Sequence, residues 1–91
     1  MPDTSTDAIR TWLTERVASY LERSAGEISA DALFVEIGID SMYLLTICGD
    51  IEDEFGYYLE PTILMDYPTI TAVAGYLSKE LNTQGSGVAS D

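Results

Sequence analysis

The sequence predicts an all-α domain, a small antiparallel bundle of three main helices plus one short helix. Three observations carry that prediction. Apolar residues recur at spacings of three and four in three separate stretches. Glycine and proline punctuate the boundaries between them. Strand-like alternation occurs only in Glu54 to Leu64, around Tyr57, Tyr58 and Leu59, an isolated run with no second strand to pair with. Each apolar stripe needs another to cover it, and 91 residues suffice for one such core and not for two.

The lead-in, residues 1–6, is short and polar and is expected to be disordered. From Asp7, a candidate cap, the spacing of Ile9, Leu13, Val17, Tyr20 and Leu21, with Trp12 beside them, predicts a first helix ending near Ser24 to Gly26. Glu27 to Ile39 holds Ile28, Leu33, Phe34, Val35 and Ile37 without a sustained period. It reads as a long loop pinned to the core by those side chains, and loops of this length in compact domains are often functional. After Gly38, Asp40 or Ser41 caps a second helix that runs to about Phe55 and stops at Gly56. Its expected inward stripe is Met42, Leu45, Cys48 or Ile47, Ile51 and Phe55. Asp50, Glu52, Asp53 and Glu54 face outward, together with Tyr43 and Leu44. Pro61 and the Tyr67–Pro68 pair confine a short helix to about Thr62 to Asp66. Thr69 then caps a last helix whose Ile70, Val73, Ala74, Leu77 and Leu81 form a narrow seam. The domain is thus expected over residues 7–81, and the Gly- and Ser-rich residues 82–91 as a flexible tail.

Sixteen acids against four bases give a formal charge of −12. Nucleic acid and anionic membranes are therefore poor partners, since binding phosphate needs clustered Lys and Arg. Ten acids and no base lie between Arg23 and Lys79, which makes the middle of the chain either a solvated acidic surface or an electrostatic face for basic partners. The absence of His removes imidazole base catalysis and imidazole metal ligation. The one cysteine, Cys48, has no partner for an internal disulfide and no basic neighbour in sequence, and reads as core filler. No run is long and apolar enough to span a bilayer and the first ten residues do not resemble a signal peptide, so the expected address is cytoplasmic and the expected state monomeric.

Catalysis finds little support. Gly38, Ile39, Asp40, Ser41 and Met42 do not form the Gly-x-Ser-x-Gly elbow of a serine hydrolase. A calcium loop starting at Asp50 would need glycine where Phe55 stands. A chain this short offers no cleft to hold a sugar between two carboxylates. Ser41 draws attention by position: an Asp–Ser pair opening a helix ordinarily only caps it. This one follows a long loop and a glycine turn and sits where the helix dipole and free amides favour a phosphate by about 0.3–1 kcal/mol.

Phe34, Val35, Glu36, Ile37, Gly38, Ile39, Asp40, Ser41 and Met42 resemble the attachment segment of acyl carrier proteins. In that family the serine after Gly, an apolar residue and Asp receives 4′-phosphopantetheine from coenzyme A. The resemblance extends from about Ile9 to Leu81, with Leu45, Ile47, Ile51, Glu52 and Phe55 matching the helix after the modified serine. Asp66, Tyr67, Pro68 and Thr69 resemble the junction before the last helix in polyketide synthase carriers, and Gly38–Ile39–Asp40 leans the same way.

The resemblance implies that Ser41 is an attachment point whose arm holds acyl groups as thioesters for polyketide biosynthesis. It implies further that Asp40 contacts a phosphopantetheinyl transferase. Acids of the second helix (Asp50, Glu52, Asp53, Glu54) would meet basic patches on an acyltransferase, a ketosynthase or another acyl-processing enzyme. The domain itself would then be a substrate of other enzymes and not a catalyst. Thr46, where many carriers have Glu, and Gly49, often a large apolar residue, depart from the pattern and shift the expected recognition toward Tyr43 and Leu44. Two alternatives stay open at this level: a peptidyl or aminoacyl carrier of a nonribosomal assembly line, and an unmodified acidic helical adaptor in which Ser41 only caps.

Overall fold

The computed structural model describes residues 3–90, with side chains for residues 3–83. It is all-helical, with α1 Thr6–Leu21, a 3₁₀ turn at Ala25–Glu27, α2 Ser41–Phe55, α3 Ile63–Asp66 and α4 Ile70–Ser90. Among the described residues there is no strand, only an isolated bridge between Leu33 and Thr69. No described helix is long and apolar enough to cross a membrane.

The core follows the helical period. Ile9, Leu13 and Val17, one turn apart on α1, pack with Ile47, Cys48 and Ile51 of α2, Leu64 of α3, and Ile70, Val73, Ala74 and Leu77 of α4. Leu59 closes the α2–α3 connection at 1% exposure, and no strand forms in that stretch. Cys48 is buried, as its place among apolar neighbours predicts. Phe55 is half-buried and meets the Trp12 ring edge-on at 5.1 Å, while the Arg16 guanidinium lies over Trp12.

Helix ends differ from expectation where a less conspicuous residue does the capping. Ser5, not Asp7, caps α1 by accepting the Ala8 amide, and Asp7 pairs instead with Arg10 at 2.8 Å. The helix stops at Glu22 in a left-handed conformation (φ 57°), not at Gly26, which lies in the 3₁₀ turn. That turn is closed by a capping box between Ser24 and Glu27. Thr69 caps α4 as expected, its hydroxyl accepting the Ala72 amide at 3.0 Å.

The lead-in is held against α4 where it is described. Thr4 donates through its hydroxyl to Asn82 and accepts from Ser78 through its carbonyl, which satisfies the buried Ser78 hydroxyl. Met1, Pro2 and Asp91 lie outside the described residues. The segment expected as a flexible tail continues α4 to Ser90.

The inward face of α2 is rotated from the expected one. Met42 is 75% exposed and Leu45 57% exposed, whereas Tyr43 and Leu44 are half-buried and pack on the core. The buried row runs Leu44, Ile47/Cys48, Ile51, Phe55. The row Met42, Leu45, Thr46, Gly49 leads into Glu52 and Asp53 and faces solvent.

Candidate functional site

The loop from Ile28 to Asp40 is wound on itself and stitched to the start of α4. The Phe34 amide donates to the Pro68 carbonyl at 2.9 Å, and the Thr71 amide to that of Ala30 at 3.0 Å. Within the loop the amides of Ile37 and Ile39 return to the carbonyls of Leu33 and Phe34, and Glu36 accepts the Leu33 amide. Phe34 and Ile39 are buried and anchor it; Val35, expected to help pin it, is 77% exposed. Between those anchors Gly38 takes φ 96°, a conformation in which a Cβ is strained. The chain reverses there and presents Asp40 and Ser41 at the tip of the bundle.

Asp40 caps α2: its carboxylate accepts the Tyr43 amide at 3.1 Å and its carbonyl the Leu44 amide at 3.0 Å. Ser41 is the first residue of α2 and is exposed. By helix geometry the amides of Ser41 and Met42 have no intrahelical acceptor and point out of the helix start. The hydroxyl therefore stands in solvent beside two free donors at the positive end of a dipole. Next to it opens a groove of about 370 Å³, lined mainly by apolar side chains from the loop, α2 and α3, among them Val35, Leu44, Leu64 and Met65. A phosphodiester at Ser41 and a slender, largely uncharged arm leaving it both fit these surroundings.

The predicted site residues divide into three groups. Ser41 and Asp40 come together at the tip. Glu52, Asp53 and Glu54 are exposed at the far end of α2, roughly 17–20 Å along the axis from Ser41 at ~1.5 Å per residue. Tyr43 and Leu44, expected to be exposed, are turned inward, and Asp50 is half-buried and accepts a hydrogen bond from the Tyr20 hydroxyl. Exposed apolar side chains near Ser41 are instead Met42, Leu45, Val35 and Met65. The signal for Met42 and Leu45 was in the sequence, because continuing their row by three or four residues reaches Glu52 and Asp53, which belong in water. No cluster of three metal-ligating side chains occurs among the described residues.

Comparison with known proteins agrees with this geometry. Residues 11–77 match the family described as phosphopantetheine attachment site. Among curated proteins, the polyketide synthases PksM and PksL of Bacillus subtilis are 37% and 39% identical over 71 and 72 residues. These matches take in 78% and 79% of this chain but only 2% of each synthase. Among solved structures, a free-standing peptidyl carrier protein from Acinetobacter baumannii superposes with a TM-score of 0.82 at 37% identity, covering 87% of this chain and 99% of that one. The HMG-ACPI domain of the CurA module from Lyngbya majuscula superposes at 0.81 with 29% identity, covering 93% and 86%. A four-helix fold shared with both carriers and a match across most of the chain lead to one conclusion: this chain is a carrier domain of the phosphopantetheine attachment family.

Proposed function

We propose that Ser41 is the residue that receives 4′-phosphopantetheine and that the domain holds acyl intermediates of a polyketide pathway. The observation that carries this reading is the exposed Ser41 hydroxyl at the free end of α2, on a turn fixed by Gly38 and beside an apolar groove. In attachment, the Ser41 oxygen forms a bond to phosphorus of the coenzyme A pyrophosphate. The pyrophosphate P–O bond breaks, adenosine 3′,5′-bisphosphate leaves, and the serine proton passes to a base of the transferase. The reaction needs no base from this chain, consistent with a sequence without His. Once attached, the arm supplies a terminal thiol that carries cargo as a thioester. The tether raises the effective concentration of cargo at each enzyme visited.

The chain's own residues hold the acceptor in place and present it. Asp40 orders the first turn, and its exposed carboxylate is the proposed contact for the transferase. Glu52, Asp53 and Glu54 form an exposed acidic group for partners with basic patches, such as an acyltransferase or ketosynthase. Near the arm, Met42 and Leu45 offer apolar contact, in place of Tyr43 and Leu44.

Polyketide synthases among the relatives and the Asp66–Tyr67–Pro68–Thr69 junction favour acyl cargo. The close superposition on a peptidyl carrier supports aminoacyl cargo as the second reading. Incubation with coenzyme A and a broad-specificity phosphopantetheinyl transferase should add one phosphopantetheinyl unit to the intact mass, and Ser41→Ala should add none. Loading of the modified protein with acyl and aminoacyl donors then decides between cargoes. An unlabelled wild type would overturn the proposal.

A further inference from the structure

Tyr20, in the last turn of α1, meets α2 at two points. Its hydroxyl donates to the Asp50 carboxylate, and its ring stacks on Tyr43 at 5.8 Å and 27°. The Tyr43 hydroxyl returns the contact by donating to the Tyr20 carbonyl at 3.5 Å. Tyr43 and Asp50 are seven residues apart, so they lie on one face of α2 about 10 Å apart along its axis. One tyrosine of α1 thus spans two turns of the helix that begins at Ser41.

Two fixed points along a helix set its pitch against its neighbour. The apolar contacts of Ile47, Cys48 and Ile51 beneath do this poorly, because burial is non-directional, whereas hydrogen bonds to a carboxylate and a carbonyl are directional. Ser41 is two residues from Tyr43 and moves with it. The same contact explains why Asp50 is half-buried while Glu52, Asp53 and Glu54 are exposed. We propose that Tyr20, Tyr43 and Asp50 form a latch that fixes the helix bearing Ser41, so that Tyr20 is a positioning residue for arm attachment and Asp50 is held by this chain, not by a partner. The role in attachment rests on the assignment of Ser41 above; the latch itself does not.

Without the latch, fewer molecules hold α2 in the pose a transferase accepts, and apparent affinity falls by that fraction. The test is steady-state phosphopantetheinylation by a broad-specificity transferase with coenzyme A, with the carrier as varied substrate. Tyr20→Phe keeps the ring and loses the hydroxyl, and should raise KM about tenfold at unchanged kcat, the low end for loss of one hydrogen bond to a charged group. Asp50→Ala should match it, the double variant should be no worse than either single, and Asp50→Asn, whose amide oxygen still accepts, should stay within about twofold of wild type. Amide exchange at residues 43–46 should accelerate in Tyr20→Phe and remain unchanged on the buried face of α1. Normal KM and exchange in Tyr20→Phe, or Asp50→Asn as damaging as Asp50→Ala, would overturn the latch and make Asp50 a docking charge. A wild type that accepts no arm would instead refute the Ser41 assignment and leave the exchange readout to judge the latch.

Discussion

Replacing Ile51 by Ala and, separately, Leu45 by Ala distinguishes the observed register of α2 from the one its apolar residues first suggest. Ile51 is 0% exposed and lies among Ile47, Cys48 and the α1 and α4 side chains, whereas Leu45 is 57% exposed. Removing three buried carbons at about 0.8 kcal/mol each loses roughly 2.4 kcal/mol of transfer free energy. A partly collapsed cavity brings the total to about 3–4 kcal/mol, within the range of large-to-small core changes. For a domain of this size, stability on the order of 5–10 kcal/mol is expected, so Ile51→Ala removes a third or more of it. The melting temperature should fall by roughly 12–30 °C, at ~4–8 °C per kcal/mol. Leu45→Ala should change stability by less than about 0.5 kcal/mol. Thermal and urea unfolding followed by far-ultraviolet circular dichroism measure both. Comparable losses in the two variants would refute the rotation of α2, and a Leu45→Ala protein less stable than Ile51→Ala would restore the first register.

Other consequences of the structure can be measured as directly. Burial raises the Cys48 pKa above the ordinary thiol value, so alkylation by iodoacetamide at neutral pH should be slow in the folded protein and accelerate manyfold in denaturant; fast native labelling would contradict its place in the core. Hydrogen bonds from the Ser24 amide and hydroxyl hold the Glu27 carboxyl below its ordinary pKa. The cap is therefore intact above the ordinary carboxylate pKa and is lost as pH falls through the lower folded value, and titration of the Ser24 amide shift by NMR should show that depressed midpoint. An ordinary midpoint would mean that the capping box does not form in solution. With Glu52, Asp53 and Glu54 exposed, the association rate with a basic partner enzyme should drop several-fold between low and physiological ionic strength, and their amide variants should flatten that dependence. A rate indifferent to salt would remove electrostatic steering from the account.

The three long helices and the short one could be read from spacing and punctuation, because period 3.6 and residues such as Gly38, Gly56, Pro61 and Pro68 act locally. The start of α2 at Asp40 and Ser41 was legible for the same reason. The register of α2 was harder to read, because Met42 and Leu45 are as apolar as Leu44 and Ile47, and only the continuation of their row into Glu52 and Asp53 marks it as the outer one. The row that packing leaves outside, with Met42 and Leu45, is the one beside Ser41. The engagement of Asp50 by Tyr20 joins residues thirty positions apart and leaves no trace in local pattern. Ser5 and Glu22 capped α1 in place of Asp7 and Gly26 because several residues could do so and cap geometry decides among them.

The proposed role of the domain depends on attachment of the arm at Ser41. After modification with coenzyme A and a transferase, cleavage before Asp40 and Asp50 releases a peptide of residues 40–49 in which Ser41 is the only serine. Fragmentation mass spectrometry should find the phosphopantetheinyl group on Ser41 in that peptide, and on no other fragment. The same group recovered on a different residue, or retained in Ser41→Ala, would contradict it.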